Sequence, residues 1–150
     1  MTNSADAKTP AADVTILNVA LGLELEAIAA YKAGAGSKLL SGAALDMAGS
    51  FLRDHERHRD LLVAWIHRLG GTPVQAKSAY DFGTITSAAD IVNLAHRLEQ
   101  GAADAYLANA GNLTNAGVLD DAAGVLVDEV RHATALKMAL SLPVTQRPAY

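Results

Sequence analysis

Two stretches of the chain are near copies of each other. Residues 23–36 read LELEAIAAYKAGAG and residues 98–111 read LEQGAADAYLANAG. Both are Leu-Glu, six residues, then Tyr-x-Ala-x-Ala-Gly. Each copy is followed about thirty residues later by an i, i+3 pair containing histidine: His55 and His58 after the first, Glu129 and His132 after the second. Residues at i and i+3 share a helix face, so both groups of a pair can reach one ion. A glutamate helix followed by an x-x-His helix, given twice, is the ligand pattern of a two-metal site inside a four-helix bundle. From Glu24 to His58 is 34 residues and from Glu99 to His132 is 33. A lone Glu-x-x-His arises easily on a solvated helix face; two unrelated pairs would not repeat their spacing to within one residue. One position breaks the repeat: where the second copy has Glu129, the first has His55.

These side chains need helices to hold them. Half of the 150 residues are apolar (51%) while aromatics make up only 5%, so alanine and leucine dominate and favour helix over strand. Prolines and glycines cut the chain into four helices, expected at about 13–33 with Asp13 as N-cap, 42–69, 88–110 behind a Ser87/Asp90 capping box, and 116–142 closed by Pro143. Residues 1–11 and 143–150 read as loose tails around a single domain. The first–second and third–fourth links are short, so each pair should be an antiparallel hairpin. The middle link, about residues 70–86, is long enough to run the length of the bundle and join hairpins at opposite ends.

Each helix has a core stripe, and each stripe carries a charged or imidazole side chain near its middle. Glu24 lies among Leu17, Ala20, Leu21, Ile28 and Tyr31. His55 and His58 extend the line Phe51, Leu62, Trp65, Ile66, Leu69. Glu99 lies among Ile91, Leu94, Leu98, Ala102 and Tyr106. Glu129 and His132 line up with Val125, Leu136, Ala139 and Leu140. An ionised carboxylate in an apolar core costs several kcal/mol unless neutralised or hydrogen-bonded. Two divalent cations would neutralise three glutamates, and the carboxylate–imidazole set suits iron, manganese or zinc. Tyr31 and Tyr106 each follow their glutamate by seven residues. Two readings stand for them: hydroxyls hydrogen-bonded to the ligands or carrying electrons, or core aromatics with the hydroxyl at the bundle edge. His96, one turn before Glu99, also faces inward and is a weaker ligand candidate. His67 reads as a charge at a helix C-terminus. Glu26 and Glu56 are rotated away from the site. In the run from Arg53 to Asp60 only the two histidines are expected to turn inward.

The chain resembles the ferritin-like superfamily, which holds bacterioferritins and rubrerythrins, over about residues 13–142. The string Glu24-Leu-x-Ala-Ile-x-x-Tyr31 is similar to the first ferroxidase helix of bacterioferritin-like proteins, and the spacing from His58 to Pro73 is similar too. Glu99 matches the third-helix glutamate, and Glu129 with His132 matches the fourth-helix Glu-x-x-His. The resemblance implies an all-α ferritin-like antiparallel bundle with a long crossover between helices 2 and 3. It also implies two iron ions, with Glu24 and Glu99 as terminal ligands, Glu129 bridging, and His58 and His132 one to each ion. His55 stands where the family's second bridging glutamate belongs. That exchange removes one negative charge and one bridge, and leaves two functions open: a redox protein reacting with oxygen or peroxide, or a ferritin-like module with a redox-inert metal or none.

Composition sets further expectations. Net charge is −4 without a basic run, so nucleic acid is not an expected partner. The absence of cysteine excludes disulfides, iron–sulfur clusters and Cys-based zinc sites, and a rubredoxin-type module with them. The N-terminus has no signal-peptide core, and the most apolar segment, residues 14–28, is interrupted by Asn18, Glu24 and Glu26. No stretch is expected to be long and apolar enough to span a membrane, and the expectation is a soluble, cytoplasmic protein. Helix 1 is apolar beyond its core stripe, which predicts a homodimer through it, with helix 2 as a further contact.

Overall fold

Why four helices form, and where they stop, is visible at their ends. The structure, a computed structural model, describes residues 10–144, and the terminal segments read above as tails lie largely outside them. Helix α1 spans Pro10–Gly36, α2 Gly42–Arg68, α3 Ala88–Ala110 and α4 Ala116–Ala139. Proline opens α1 in the first helical turn, where its missing N–H costs nothing. Residues 10 and 11 are thus helical, and Asp13 is not an N-cap. It is buried inside the first turn and accepts hydrogen bonds from the Thr114 N–H and hydroxyl and from the Asn115 N–H, each at 2.9 Å. The carboxylate therefore ties the start of α1 to the α3–α4 turn.

The Ser87/Asp90 capping box forms as expected at the start of α3. Helix α2 ends in a Schellman motif, with Gly70 N–H on the His67 carbonyl and Gly71 N–H on that of Ile66. Gly70 sits at φ 78°, which glycine takes without strain. Helix α4 ends the same way, three residues short of the expected Leu142, and with Ser141 in the left-handed position at φ 56°. Ala139, expected in the core, is the last residue of α4 and is exposed.

Neighbouring helices are α1 with α2 and α3, and α4 with α3 and α2; α2 and α3 lie on a diagonal. The link from residue 70 to 86 has no helix or strand and meets α1 towards both of its ends. At one end Asn18 holds it through the Thr72 carbonyl (3.1 Å) and the Val74 N–H (2.8 Å). At the other, Phe82, Ile85 and Thr86 line a cavity of about 430 Å³ with Ala30, Gly34 and Ile91. The link thereby carries the chain back to the far end of the bundle, so all neighbouring helices run antiparallel. Gly34 lets α1 and α3 close up, since a Cβ there would meet Ile91 Cγ2 at 2.9 Å.

Two apolar clusters fill the ends of the bundle. One is built on Leu17, Leu21, Leu62, Ile66 and Val125, the other on Ala27, Leu40, Ile91, Ala95 and Leu136. The polar residues occupy the layer between them. One expectation about hydropathy is corrected. Helix α1 is long and apolar enough to cross a membrane by length and composition, with mean hydropathy 1.5 over its best window. Its inward face nevertheless packs on α2 and α3 and carries Asp13 and Glu24 into the interior.

Candidate metal centre

All six residues singled out by the repeat meet in the middle layer, and all are buried. Glu24 comes from α1, His55 and His58 from α2, Glu99 from α3, and Glu129 and His132 from α4. They form two overlapping groups, each compact enough to surround one ion: Glu24, His55, His58 and Glu129, and His55, Glu99, Glu129 and His132. His55 and Glu129, the pair at which the repeat differs, are the two residues common to both.

His55 lies at the centre. Its Nδ1 is 2.7 Å from Glu24 Oε2 and 3.7 Å from Glu129 Oε1, and its Nε2 is 3.0 Å from Glu99 Oε1. Burial alone would lower its pKa; hydrogen bonds to Glu24 and Glu99 outweigh that and raise it to about 11. In the metal-free cluster His55 is therefore an imidazolium joining two carboxylates. His58 is similar: burial is outweighed by Glu129 and Glu24, and its pKa rises to about 10. For Glu24 and Glu99 burial pushes upward, but the histidines facing them prevail and hold both carboxylates below their ordinary value. Glu129 goes the other way. Burial leads, the neighbouring carboxylates Glu99 and Glu24 add to it, and the pKa reaches about 8 despite His58.

The tyrosines settle between their two readings by crossing over. The Tyr31 hydroxyl on α1 donates to Glu99 on α3, and the Tyr106 hydroxyl on α3 donates to Glu24 on α1, the latter at 2.9 Å. Each holds the glutamate of the other copy. Burial, reinforced by the adjacent carboxylates, raises both phenol pKa values, so the hydroxyls stay protonated and act as donors.

Two residues were missed. Asp54 Oδ2 lies 3.1 Å from His132 Nε2, and Asp128 Oδ2 lies 3.4 Å from His58 Nε2. The other oxygen of each aspartate takes an arginine three residues on: Arg57 at 2.6 Å and Arg131 at 3.1 Å. With Nε2–H given to an aspartate, both imidazoles present Nδ1 to the carboxylates, fixing tautomer and ring direction. The signal was in the sequence, because DHERH (54–58) and DEVRH (128–132) are a second duplicated motif. It was obscured by reading the charged run as solvated apart from its histidines. His96 is half-buried and belongs to neither group; burial and the cations Lys137 and Arg97 lower its pKa. His67 is exposed in the last turn of α2, and Glu56 pairs outward with Lys32 at 3.1 Å.

The residues fit a cation on one further ground. Buried polar atoms are nearly always hydrogen-bonded. Yet both carboxylate oxygens of Glu129 and Nδ1 of His58 have no hydrogen-bond partner, although Glu129 Oε1 and His58 Nδ1 are 3.1 Å apart. His58 and Glu129 each offer a ligand atom to the first group. Between α2 and α4 the surface reaches the cluster's edge at His58. A groove of about 720 Å³ there is lined by Arg57, His58, Leu61, Asp120, Asp121 and Asp128.

Comparison with known proteins agrees with this architecture. A conserved hypothetical protein, Rv2844, from Mycobacterium tuberculosis superposes with TM-score 0.80 at 26% identity, over 86% of this chain and 97% of that one. Ferritin-like, diiron-carboxylate proteins from Bacillus anthracis str. Ames superpose with TM-score 0.76 at 20% identity, over 93% and 99%. No curated protein matches the chain. The family described as the ferritin-like domain matches residues 12–142, nearly the whole of the four helices, and the chain belongs to it.

Proposed function

We propose that this ferritin-like bundle holds two divalent metal ions, iron first among them, and takes part in redox chemistry with oxygen or peroxide as oxidant. The observation that carries the reading is the orphaned interior of the cluster: Glu129 and His58 Nδ1 are buried without hydrogen bonds at the meeting point of four helices. A cation supplies the missing partner for each. The diiron-carboxylate chemistry of the Bacillus anthracis structures supports iron over other metals.

Glu24 and His58 would hold one ion, Glu99 and His132 the other, with Glu129 and His55 between. Bound iron would supply the electrons. The chain's own residues do the positioning. Tyr106 holds the Glu24 oxygen that His55 does not meet, Tyr31 holds the Glu99 oxygen that His55 also meets, and Asp54 and Asp128 fix the other two histidines. The apolar clusters above and below keep bulk water out, which strengthens each electrostatic contact in the layer.

A second reading is favoured by His55 itself: the same bundle holding a redox-inert ion such as zinc. With a neutral or cationic group in a bridging place, two ferric ions would face three carboxylates, and the oxidised state would be the least compensated. Aerobic addition of ferrous iron, with elemental analysis, tests both. Ferric charge-transfer absorbance with stoichiometric iron is expected for the first reading. Stoichiometric metal without that absorbance in wild type, but with it in His55→Glu, would select the second. We also propose a homodimer through α1, where Val19 is 56% exposed among half-buried apolar neighbours. A monomeric mass at micromolar concentration would contradict it.

A further inference from the structure

His55 presents its two ring nitrogens to two different groups of ligands. Nδ1 faces Glu24 and Glu129, and Nε2 faces Glu99. Resting on the two-ion reading above, we infer that His55 is a two-headed ligand: its imidazole ring lies between the ions and binds one through each nitrogen.

The ligand spacing supports this on the Nδ1 side. Four ligands arranged tetrahedrally at about 2.0–2.1 Å from an ion lie about 3.3–3.4 Å from one another. Among the six separations of the first group, two are 2.7 Å (His55 Nδ1 to Glu24 Oε2) and 3.1 Å (His58 Nδ1 to Glu129 Oε1). Two more are 3.6 Å (His58 Nδ1 to Glu24 Oε2) and 3.7 Å (His55 Nδ1 to Glu129 Oε1). They scatter around the tetrahedral edge, using one atom from each residue. On the Nε2 side, His55 reaches Glu99 Oε1 while His132 Nδ1 lies 3.2 Å from Glu99 Oε2, so an imidazole stands at each oxygen of Glu99. The ring has little freedom to turn away, since both nitrogens already hold carboxylates and Tyr31 lies alongside with its ring centre at 5.3 Å.

The step is an exchange of protons for metal ions without change of oxidation state. Each N–metal bond forms as the corresponding N–H proton leaves to solvent, the second proton being displaced by the second cation. The consequence is a distance. Ions at about 2.0–2.1 Å from the two nitrogens of one imidazole ring sit roughly 6 Å apart, whereas carboxylate-clamped pairs sit about 3.5–4 Å apart. At the longer spacing no single atom can touch both ions, and each works on its own ligand.

Anomalous scattering from crystals of the zinc-loaded full chain reads that distance directly. Two peaks roughly 6 Å apart with the His55 ring between them are expected. In His55→Glu the separation should shorten to about 4 Å or less. Two peaks at the short distance in wild type, with His55 turned aside, would overturn the inference and leave the two-ion reading intact. A single peak would also overturn it. No peak at all would remove the metal reading itself.

Discussion

The two hairpins meet at the same layer with nearly the same chemistry, and the difference between them is one residue. The α1–α2 hairpin brings Glu24, His55 and His58; the α3–α4 hairpin brings Glu99, Glu129 and His132. The tyrosines and aspartates around these side chains obey the repeat. Each tyrosine reaches across to the other hairpin's glutamate, and each aspartate reaches across to the other hairpin's histidine. His55 and Glu129 part company most sharply. His55 is satisfied on both sides, with a carboxylate at each nitrogen, while Glu129 has no hydrogen bond at either oxygen. A single exchange of glutamate for histidine has thus divided the labour. One hairpin supplies an internal cation that holds the metal-free layer together, and the other keeps the open carboxylate that calls for an ion.

The largest effect should come from removing the satisfied partner. In metal-free protein, His55→Ala leaves Glu24 and Glu99 buried without their shared cation and should cost about 3–5 kcal/mol in chemical denaturation. Glu129→Gln, at the matching place in the other hairpin, should cost far less, because the group it replaces is already held neutral near pH 7 by its raised pKa of about 8. Equal losses would break the comparison.

The pH dependence follows with its sign. His55 and His58, raised to about 11 and 10 from 6.5, give stability that is full below 6.5 and lost as pH climbs through the raised values. Glu129, raised to about 8 from 4.5, acts in the same direction, its ionisation opposing the fold as pH rises. Glu24 and Glu99, held below 4.5, lose their contribution as pH falls. Metal-free protein should therefore melt highest between pH 4.5 and 6.5, and lower at pH 9. Loading with metal should flatten the alkaline decline, since the ions replace the protons. Thermal melts of both forms at pH 5.5 and 9 check this.

A smaller effect sharpens the symmetry. Asp54→Asn and Asp128→Asn should each weaken metal binding by about 10–100-fold, measured by competition with a chelator, because each aspartate orients one histidine. Similar losses would mean that the two outer contacts are equivalent despite the 55/129 mismatch. The smallest effect lies at the helix ends. Gly70 and Ser141 hold the same left-handed position after α2 and α4. Ser141→Gly should stabilise by up to about 1 kcal/mol and Gly70→Ala should destabilise by a similar amount, read as shifts of the denaturation midpoint.

The site was legible because it is written twice. Two glutamates on apolar stripes and two i, i+3 pairs at matched spacing led to six residues that do meet, and the long middle link led to the crossover. What stayed hidden depends on contacts between helices. No periodicity says that Tyr31 will serve Glu99 rather than Glu24, since crossing requires the antiparallel α1–α3 pairing. Asp54 and Asp128 look solvated along their own helices and find their histidines only on the neighbouring one. Asp13 has the look of a cap, but a proline three residues earlier starts the helix and frees its carboxylate for the α3–α4 turn. The early end of α4 turns on Ser141 accepting a conformation that its residue type does not announce.

The central claim is that the middle layer is a metal centre to which both hairpins contribute. Equilibrium dialysis of the full chain against ferrous iron without oxygen, followed by elemental analysis of wild type and Glu129→Gln, tests it most directly. Two ions per chain in wild type are predicted, with marked loss of binding in the variant. A wild-type chain that emerges free of metal, or a Glu129→Gln variant that binds as tightly as wild type, would contradict it.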